Sequence, residues 1–91
     1  MPEPLDTARQ CIDAIDDELL ALFIRRMRLV EQIAEIKGTN ALPTTDPKRE
    51  TAILQKTANI APADLQEEAN AFMNTLLSLS KSRQKVYHPD P

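Results

Sequence analysis

Residues 5–38 read LDTARQCIDAIDDELLALFIRRMRLVEQIAEIKG. Apolar residues recur along this stretch at alternating steps of three and four, which is the heptad pattern of a helix that packs along its whole length. The ten heptad positions are Leu5, Ala8, Ile12, Ile15, Leu19, Leu22, Arg26, Leu29, Ile33 and Ile36. A second apolar stripe runs beside them through Leu20, Phe23, Met27, Val30 and Ala34. The stretch therefore predicts one long helix with a wide apolar face.

Proline and glycine divide the rest of the chain. The sequence has one Gly and seven Pro, and this scarcity of glycine disfavours β hairpins, while the prolines interrupt helices. Gly38 stands where the first pattern ends, and Asp46 before Pro47 has the chemistry of a helix start. The predicted fold class is all-α, with one long, one short and one medium helix. The expected helices cover residues 5–38, 47–59 and 62–87, followed by a tail at 88–91.

The composition limits the class of protein. The chain has 91 residues, of which 42% are hydrophobic and 27% charged, and these values predict a single globular domain over residues 1–91. A net charge of -3 is not that of a nucleic-acid binder, and one Cys with one His cannot form a protein-only zinc site. The N-terminus carries acids and no long apolar run follows, so we expect a cytoplasmic protein without a membrane partner.

The first helix is too long for its own chain to cover. It spans roughly 50 Å, whereas a compact chain of this size has a radius of gyration of about 12 Å. Two shorter helices cannot cover so long an apolar face, but a second copy packed along it can. We therefore expect an intertwined helical homodimer. The alternative is a monomeric three-helix bundle whose first helix is broken.

Polar residues interrupt the apolar faces. Arg26 lies in the heptad seam, and Lys37 returns to within about 20° of the same face. Glu50 interrupts the apolar face of the second helix, and Ser80 with Gln84 continues the stripe of the third. Each has an ordinary explanation when taken alone, such as an ion pair or surface exposure. Together they predict a polar pocket inside the bundle, and the excess of cations favours a carboxylate or phosphate ligand.

No reactive group accompanies these residues in the sequence. A nucleophile–base pair, a metal-ligand cluster and a glycine-rich loop are all missing from the pattern. An enzyme built on this set would act by positioning and electrostatics, without a metal or cofactor. Arg9 lies about 25 Å from Arg26 along the first helix. It can therefore approach the same small ligand only from a second copy of the chain.

The chain resembles the all-helical class of chorismate mutases. Similar residues run from ARQCIDAIDDELLALFIRRMRLVEQIAEIK through TTDPKRE to LSKSRQ, in the family's order and spacing. The family's opening signature stands at Arg9, Ile12, Asp13, Ile15, Asp16, Leu19 and Leu20. The resemblance implies a cofactor-free isomerase that converts chorismate to prephenate by a Claisen rearrangement in phenylalanine and tyrosine biosynthesis. It also implies a homodimer.

The resemblance also implies a set of site residues. These are Arg9 from the partner subunit together with Arg26, Lys37, Asp46, Arg49, Glu50, Ser80 and Gln84. By this resemblance, Arg9 and Arg26 bind the two carboxylates of chorismate. Lys37 and Gln84 donate hydrogen bonds to the ether oxygen, where negative charge develops.

The remaining members of the set bind the ring. The resemblance implies that Glu50, with the backbone near Asp46, accepts a hydrogen bond from the ring hydroxyl. Ser80 and Arg49 support the end that carries the ring carboxylate. We expect Lys37, Gln84, Arg26 and Glu50 to be the catalytic residues of the set.

Three other functions fit part of the pattern. Relatives of the same fold act as isochorismate pyruvate-lyases or rearrange 4-amino-4-deoxychorismate, although the segment TTDPKRE favours the plain mutase. A non-catalytic helical dimerisation module is the alternative from a different class. In that module, Arg26 and Lys37 would only pair with acids. The closing residues HPDP fit either a chain end or the beginning of a linker.

Overall fold

The computed structural model describes residues 3–88, so the predicted tail beyond His88 lies outside the described part. Three α-helices and one short 3₁₀ turn account for most of these residues, and residues 3–88 contain no strand. The predicted all-α fold with one long, one short and one medium helix is confirmed. The elements are α1 (Pro4–Thr39), α2 (Pro47–Ile60), the 3₁₀ turn (Ala63–Leu65) and α3 (Gln66–Tyr87).

α1 is a single unbroken helix of 36 residues. It ends at Thr39, one residue beyond the predicted end at Gly38. The helix is closed by Asn40, whose backbone and side-chain N–H groups both donate to the carbonyl of Ile36, at 3.1 and 2.8 Å. The left-handed residue of the following turn is Ala41, with φ 55°, rather than the glycine. The continuity of α1 excludes the predicted alternative with a broken first helix.

α2 begins as its sequence predicts. Asp46 precedes the helix, and its carboxylate accepts a hydrogen bond from the backbone N–H of Arg49 at 3.1 Å. Pro47 occupies the first helical position, where a missing N–H costs nothing. The helix continues to Ile60, one residue beyond the predicted end.

α3 begins later than predicted. The chain after Pro62 first forms the 3₁₀ turn, and α3 starts at Gln66 rather than at residue 62. No side chain caps the turn or the start of α3. Instead, the side-chain amide of Gln66 donates to the carbonyls of Ala58 and Ala61, at 2.8 and 2.5 Å, which attaches the beginning of α3 to the end of α2.

The chain is elongated and its core is small. Its radius of gyration is 16.9 Å, and its principal extents are 59, 26 and 14 Å. α3 packs against both α1 and α2. Among the described residues, the buried hydrophobic side chains are Val30, Ala34 and Leu77, all near the C-terminal half of α1. The helices therefore meet at one end of the molecule.

The other end of α1 has an uncovered apolar face. Five heptad residues between positions 5 and 22 are 47–57% exposed: Leu5, Ile12, Ile15, Leu19 and Leu22. We call this set the exposed seam. Leu29 and Ile36 continue this exposed heptad face toward the C-terminal end of α1, and Leu19 lies at the edge of α3, beside Phe72 and Leu76. Within residues 3–88, none of the helices has both the length and the apolar character needed to cross a membrane.

Candidate functional site

A pocket lies between the C-terminal half of α1 and the facing parts of α2 and α3. Its volume is about 270 Å³, close to the size of small-ligand pockets. Its apolar wall is formed by Val30, Ile33, Ile53 and Leu77. Seven of the eight predicted site residues line it, namely Arg26, Lys37, Asp46, Arg49, Glu50, Ser80 and Gln84. The structure therefore brings together residues from all three helices.

Arg9 is the predicted site residue that this pocket does not contain. It is exposed near the N-terminal end of α1, on the part of the helix that extends beyond α2 and α3. A straight helix places it roughly 25 Å from Arg26. No fold of the single subunit with an unbroken α1 can bring these two side chains to one small ligand.

Arg26 is oriented by α3. Its guanidinium donates a hydrogen bond to the hydroxyl of Ser80, which is buried and in turn donates to the carbonyl of Leu76 at 2.7 Å. The guanidinium has five N–H donors in a rigid fork, so this bond leaves capacity for a carboxylate. Ser80 therefore fixes the direction in which Arg26 presents its charge.

Lys37 and Gln84 form the second connection between α1 and α3. The ammonium of Lys37 donates to Oε1 of Gln84 at 3.0 Å and to the carbonyl of Thr44 at 2.8 Å. Gln84 and Thr44 are both buried. Because the amide oxygen of Gln84 accepts from Lys37, its NH₂ group is the end that can donate to a ligand. The pair thus presents two neighbouring donor groups to the pocket.

The start of α2 contributes the third side of the pocket. The carboxylate of Asp46 is used in capping the helix, which fixes the positions of Arg49 and Glu50 in the first turn. The carboxylate of Glu50 accepts a hydrogen bond from the ammonium of Lys81 on α3, at 3.2 Å. Asp46 therefore acts on the site mainly through the geometry of this turn.

Two members of the pocket were missed by the sequence reasoning. Lys81 lies three residues before Gln84, so helical spacing places both on the same side of α3. The prediction assigned Ser80 and Gln84, but not Lys81, to that polar stripe. Thr44 contributes its backbone carbonyl, and no side-chain pattern reports which carbonyl of a loop faces a site.

The pocket carries a formal excess of positive charge. Four cations line it, Arg26, Lys37, Arg49 and Lys81, against two carboxylates, Asp46 and Glu50. This excess of two charges suits a small dianion. In the part of the chain that the structure describes, no group of three or more His, Cys, Asp and Glu side chains is arranged to hold a metal ion.

The fold and the pocket define a class: an all-helical protein with a pocket of excess positive charge between its helices. Comparison with known families agrees with this class and specifies it. The family described as "Chorismate mutase type II" matches residues 8–85. The chain belongs to this family, which confirms the resemblance stated from its sequence.

Individual relatives match different shares of the chain. A chorismate mutase from Methanocaldococcus jannaschii is 32% identical over 89 residues, which cover 96% of this chain and 90% of that protein. The T-protein of Haemophilus influenzae is 43% identical over 53 residues, and the match covers 58% of this chain but 14% of that protein. A bifunctional chorismate mutase/prephenate dehydratase from Aquifex aeolicus is 43% identical over 54 residues, 15% of its length. No solved structure matches significantly.

Proposed function

We propose that this chain is a chorismate mutase, acting as one domain on chorismate and releasing prephenate. The observation that carries the proposal is the convergence of seven family site residues on one pocket with two excess positive charges. Chorismate is a dicarboxylate of matching charge. Membership of the type II family and the likeness to the Methanocaldococcus jannaschii chorismate mutase along 90% of its length support the same reaction.

The reaction requires the protein to hold the substrate in a reactive conformation rather than to supply a nucleophile, an acid or a base. In a Claisen rearrangement the ether C–O bond breaks while a C–C bond forms within the same molecule, so no proton and no electron leaves the substrate. The enolpyruvyl arm must be held over the ring for this to occur, and such fixation removes much of the entropic barrier. We propose that the protein fixes the substrate through its two carboxylates, one of which binds Arg26.

Lys37 and Gln84 stabilise the transition state. Negative charge develops on the ether oxygen as its bond to the ring breaks. The side chains of Lys37 and Gln84 are 3.0 Å apart and occupy one wall of the pocket, so both can donate to a single oxygen. Donors already held in place by Thr44 and by each other stabilise such charge without reorganising.

The remaining predicted residues of the pocket bind the ring of the substrate. Glu50 accepts the hydrogen bond of the ring hydroxyl, with the backbone near Asp46 beside it. Arg49 and Ser80 support the end that carries the ring carboxylate. The half-buried position of Glu50 favours this role, because a carboxylate there requires hydrogen-bond donors.

We further propose a cytoplasmic homodimer in which Arg9 of one subunit completes the pocket of the other. Two observations support the dimer and its shared pocket. Arg9 lies beside the exposed seam, whose leucine and isoleucine side chains require a cover. The pocket of a single subunit also does not contain Arg9, the residue that the family resemblance places on the second substrate carboxylate. An intertwined dimer covers the exposed seam and brings Arg9 of one subunit to the pocket of the other through a single interface.

The proposal is tested by following the loss of chorismate and identifying the product as prephenate, with isochorismate supplied in parallel. We expect prephenate from chorismate and no pyruvate release from isochorismate. Lys37→Ala and Arg26→Ala should each lower turnover by several orders of magnitude while leaving the helical circular-dichroism spectrum unchanged. A folded protein that neither converts chorismate nor binds it saturably contradicts the proposal and favours a non-catalytic module.

A further inference from the structure

Lys81 is a charged pocket residue to which the proposed mechanism gives no role. Its ammonium lies 3.2 Å from Oε1 of Glu50, and the two side chains are 36% and 25% exposed. It comes from α3, whereas Glu50 comes from α2. The carboxylate proposed to accept the ring hydroxyl is therefore already in contact with a cation before a ligand binds.

We propose that Lys81 makes the pocket selective for a substrate with a hydroxyl at this ring position over one with an amine there. The proposal rests on the function proposed above, since Glu50 must face the ring substituent. A carboxylate has two oxygens and about four acceptor sites. Glu50 can therefore accept from Lys81 and from a neutral hydroxyl together, and the hydroxyl adds no charge.

An amine at the same position creates a conflict. Aliphatic amines are protonated at neutral pH, so the amine analogue brings a second cation to the carboxylate that Lys81 already contacts. Like charges held a few ångströms apart repel strongly where water is partly excluded. The pocket already has an excess of positive charge, which adds to this repulsion.

The charged side chains around Lys81 belong to α1 and to the start of α2. The charged groups that share the pocket with it are Arg26 and Lys37 on α1, and Asp46, Arg49 and Glu50 at the start of α2. Among them, Glu50 is the group whose hydrogen bond with Lys81 the structure shows. Removing the Lys81 charge leaves Glu50 without this cation, and an unpaired carboxylate prefers an ammonium to a hydroxyl.

The test compares kcat/KM for chorismate and 4-amino-4-deoxychorismate in the whole chain and three variants. Lys81→Met removes the charge and keeps an apolar stem of similar length. We expect it to shift the ratio toward the amine by about tenfold or more. Lys81→Arg keeps the charge and should keep the wild-type ratio. Lys85→Met is the matched control, because Lys85 is exposed one turn further along α3 and does not line the pocket.

A second measurement requires no variant. In the wild-type protein, discrimination against the amine should decrease as the pH rises through the pKa of the substrate amine, because the neutral amine is not repelled. An unchanged ratio in Lys81→Met, an equal shift in Lys85→Met, or discrimination independent of pH each overturns the role of Lys81. If the wild-type protein fails to convert chorismate at all, it is the proposed function that fails.

Discussion

At the scale of single residues, the space beside Gly38 is occupied by the imidazole of His88. A Cβ atom placed there would lie 2.6 Å from Nδ1 of His88, which is closer than van der Waals contact allows. Gly38 directly follows Lys37, and the backbone N–H of His88 donates to the carbonyl of Gln84 at 2.7 Å. The contact between Gly38 and His88 therefore lies beside the hydrogen bond that joins Lys37 to Gln84.

Gly38→Ala is expected to lower kcat by about tenfold even though alanine favours a helix by ~1 kcal/mol. The added methyl displaces His88, and through it the end of α3 that carries Gln84. Thr39→Ala, an exposed change in the same turn, should leave kcat unaltered. Kinetics and thermal unfolding measured together check the prediction. The double variant Gly38→Ala/His88→Ala should recover activity, and a fully active Gly38→Ala protein would contradict the steric account.

At the scale of helices, α3 is attached to α1 by an ion pair. Nη2 of Arg83 lies 2.6 Å from Oε2 of Glu31, and Arg28 reaches the same oxygen at 2.9 Å. Arg83 also stacks over the ring of Tyr87, at 4.8 Å from its centre. The hydrogen bond from Arg83, opposed by partial burial and aided by Arg28, holds the pKa of the Glu31 carboxyl below its ordinary value.

This shift predicts a pH-dependent stability. A carboxyl whose pKa is lowered by folding stabilises the protein above its unfolded pKa, and the contribution is lost as the pH falls through the lowered folded pKa. We expect Glu31→Gln to lower the thermal midpoint at neutral pH, with the difference from wild type shrinking below about pH 4. Thermal unfolding of both proteins between neutral and acidic pH measures this. A difference that stays constant across that range would show that the ion pair does not contribute.

The helices also show what the sequence predicts and what it leaves out. The heptad repeat and the prolines predicted α1 and α2 to within one residue at each end, because periodicity and capping are local properties. α3 starts at Gln66 rather than at the predicted residue 62, since the 3₁₀ turn depends on the contact of Gln66 with the end of α2, which is a tertiary contact. For the same reason, the Lys81–Glu50 pair required the packing of α3 on α2 to be known.

At the scale of the whole molecule, the exposed seam is a long apolar stripe on the surface of α1. Burial of such side chains contributes about 25 cal/mol per Å² of apolar area, and a helix of 36 residues offers a long stripe of it. The subunit extends 59 Å but is only 14 Å thick in its smallest dimension. These proportions suit the proposed dimer, in which a second copy packs lengthwise along α1.

Ile15→Asp should convert the proposed dimer to monomers and abolish activity together. Ile15 is 55% exposed in the subunit and does not line the pocket, so the change acts only through the interface. Ala21→Asp makes the same kind of change on the opposite side of α1 and is the control. Sedimentation and chorismate turnover measure both effects. An Ile15→Asp protein that remains dimeric and active would exclude the exposed seam as the interface.

The most direct test of the central claim mixes two inactive variants. Arg9→Ala and Lys37→Ala subunits should each form inactive dimers, because every pocket of such a dimer lacks one essential cation. Refolded together in equal amounts, they should recover about a quarter of the wild-type rate of prephenate formation, since half of the dimers are mixed and each has one complete pocket. No recovery on mixing, or full activity of Arg9→Ala alone, would contradict a chorismate mutase site shared between two subunits.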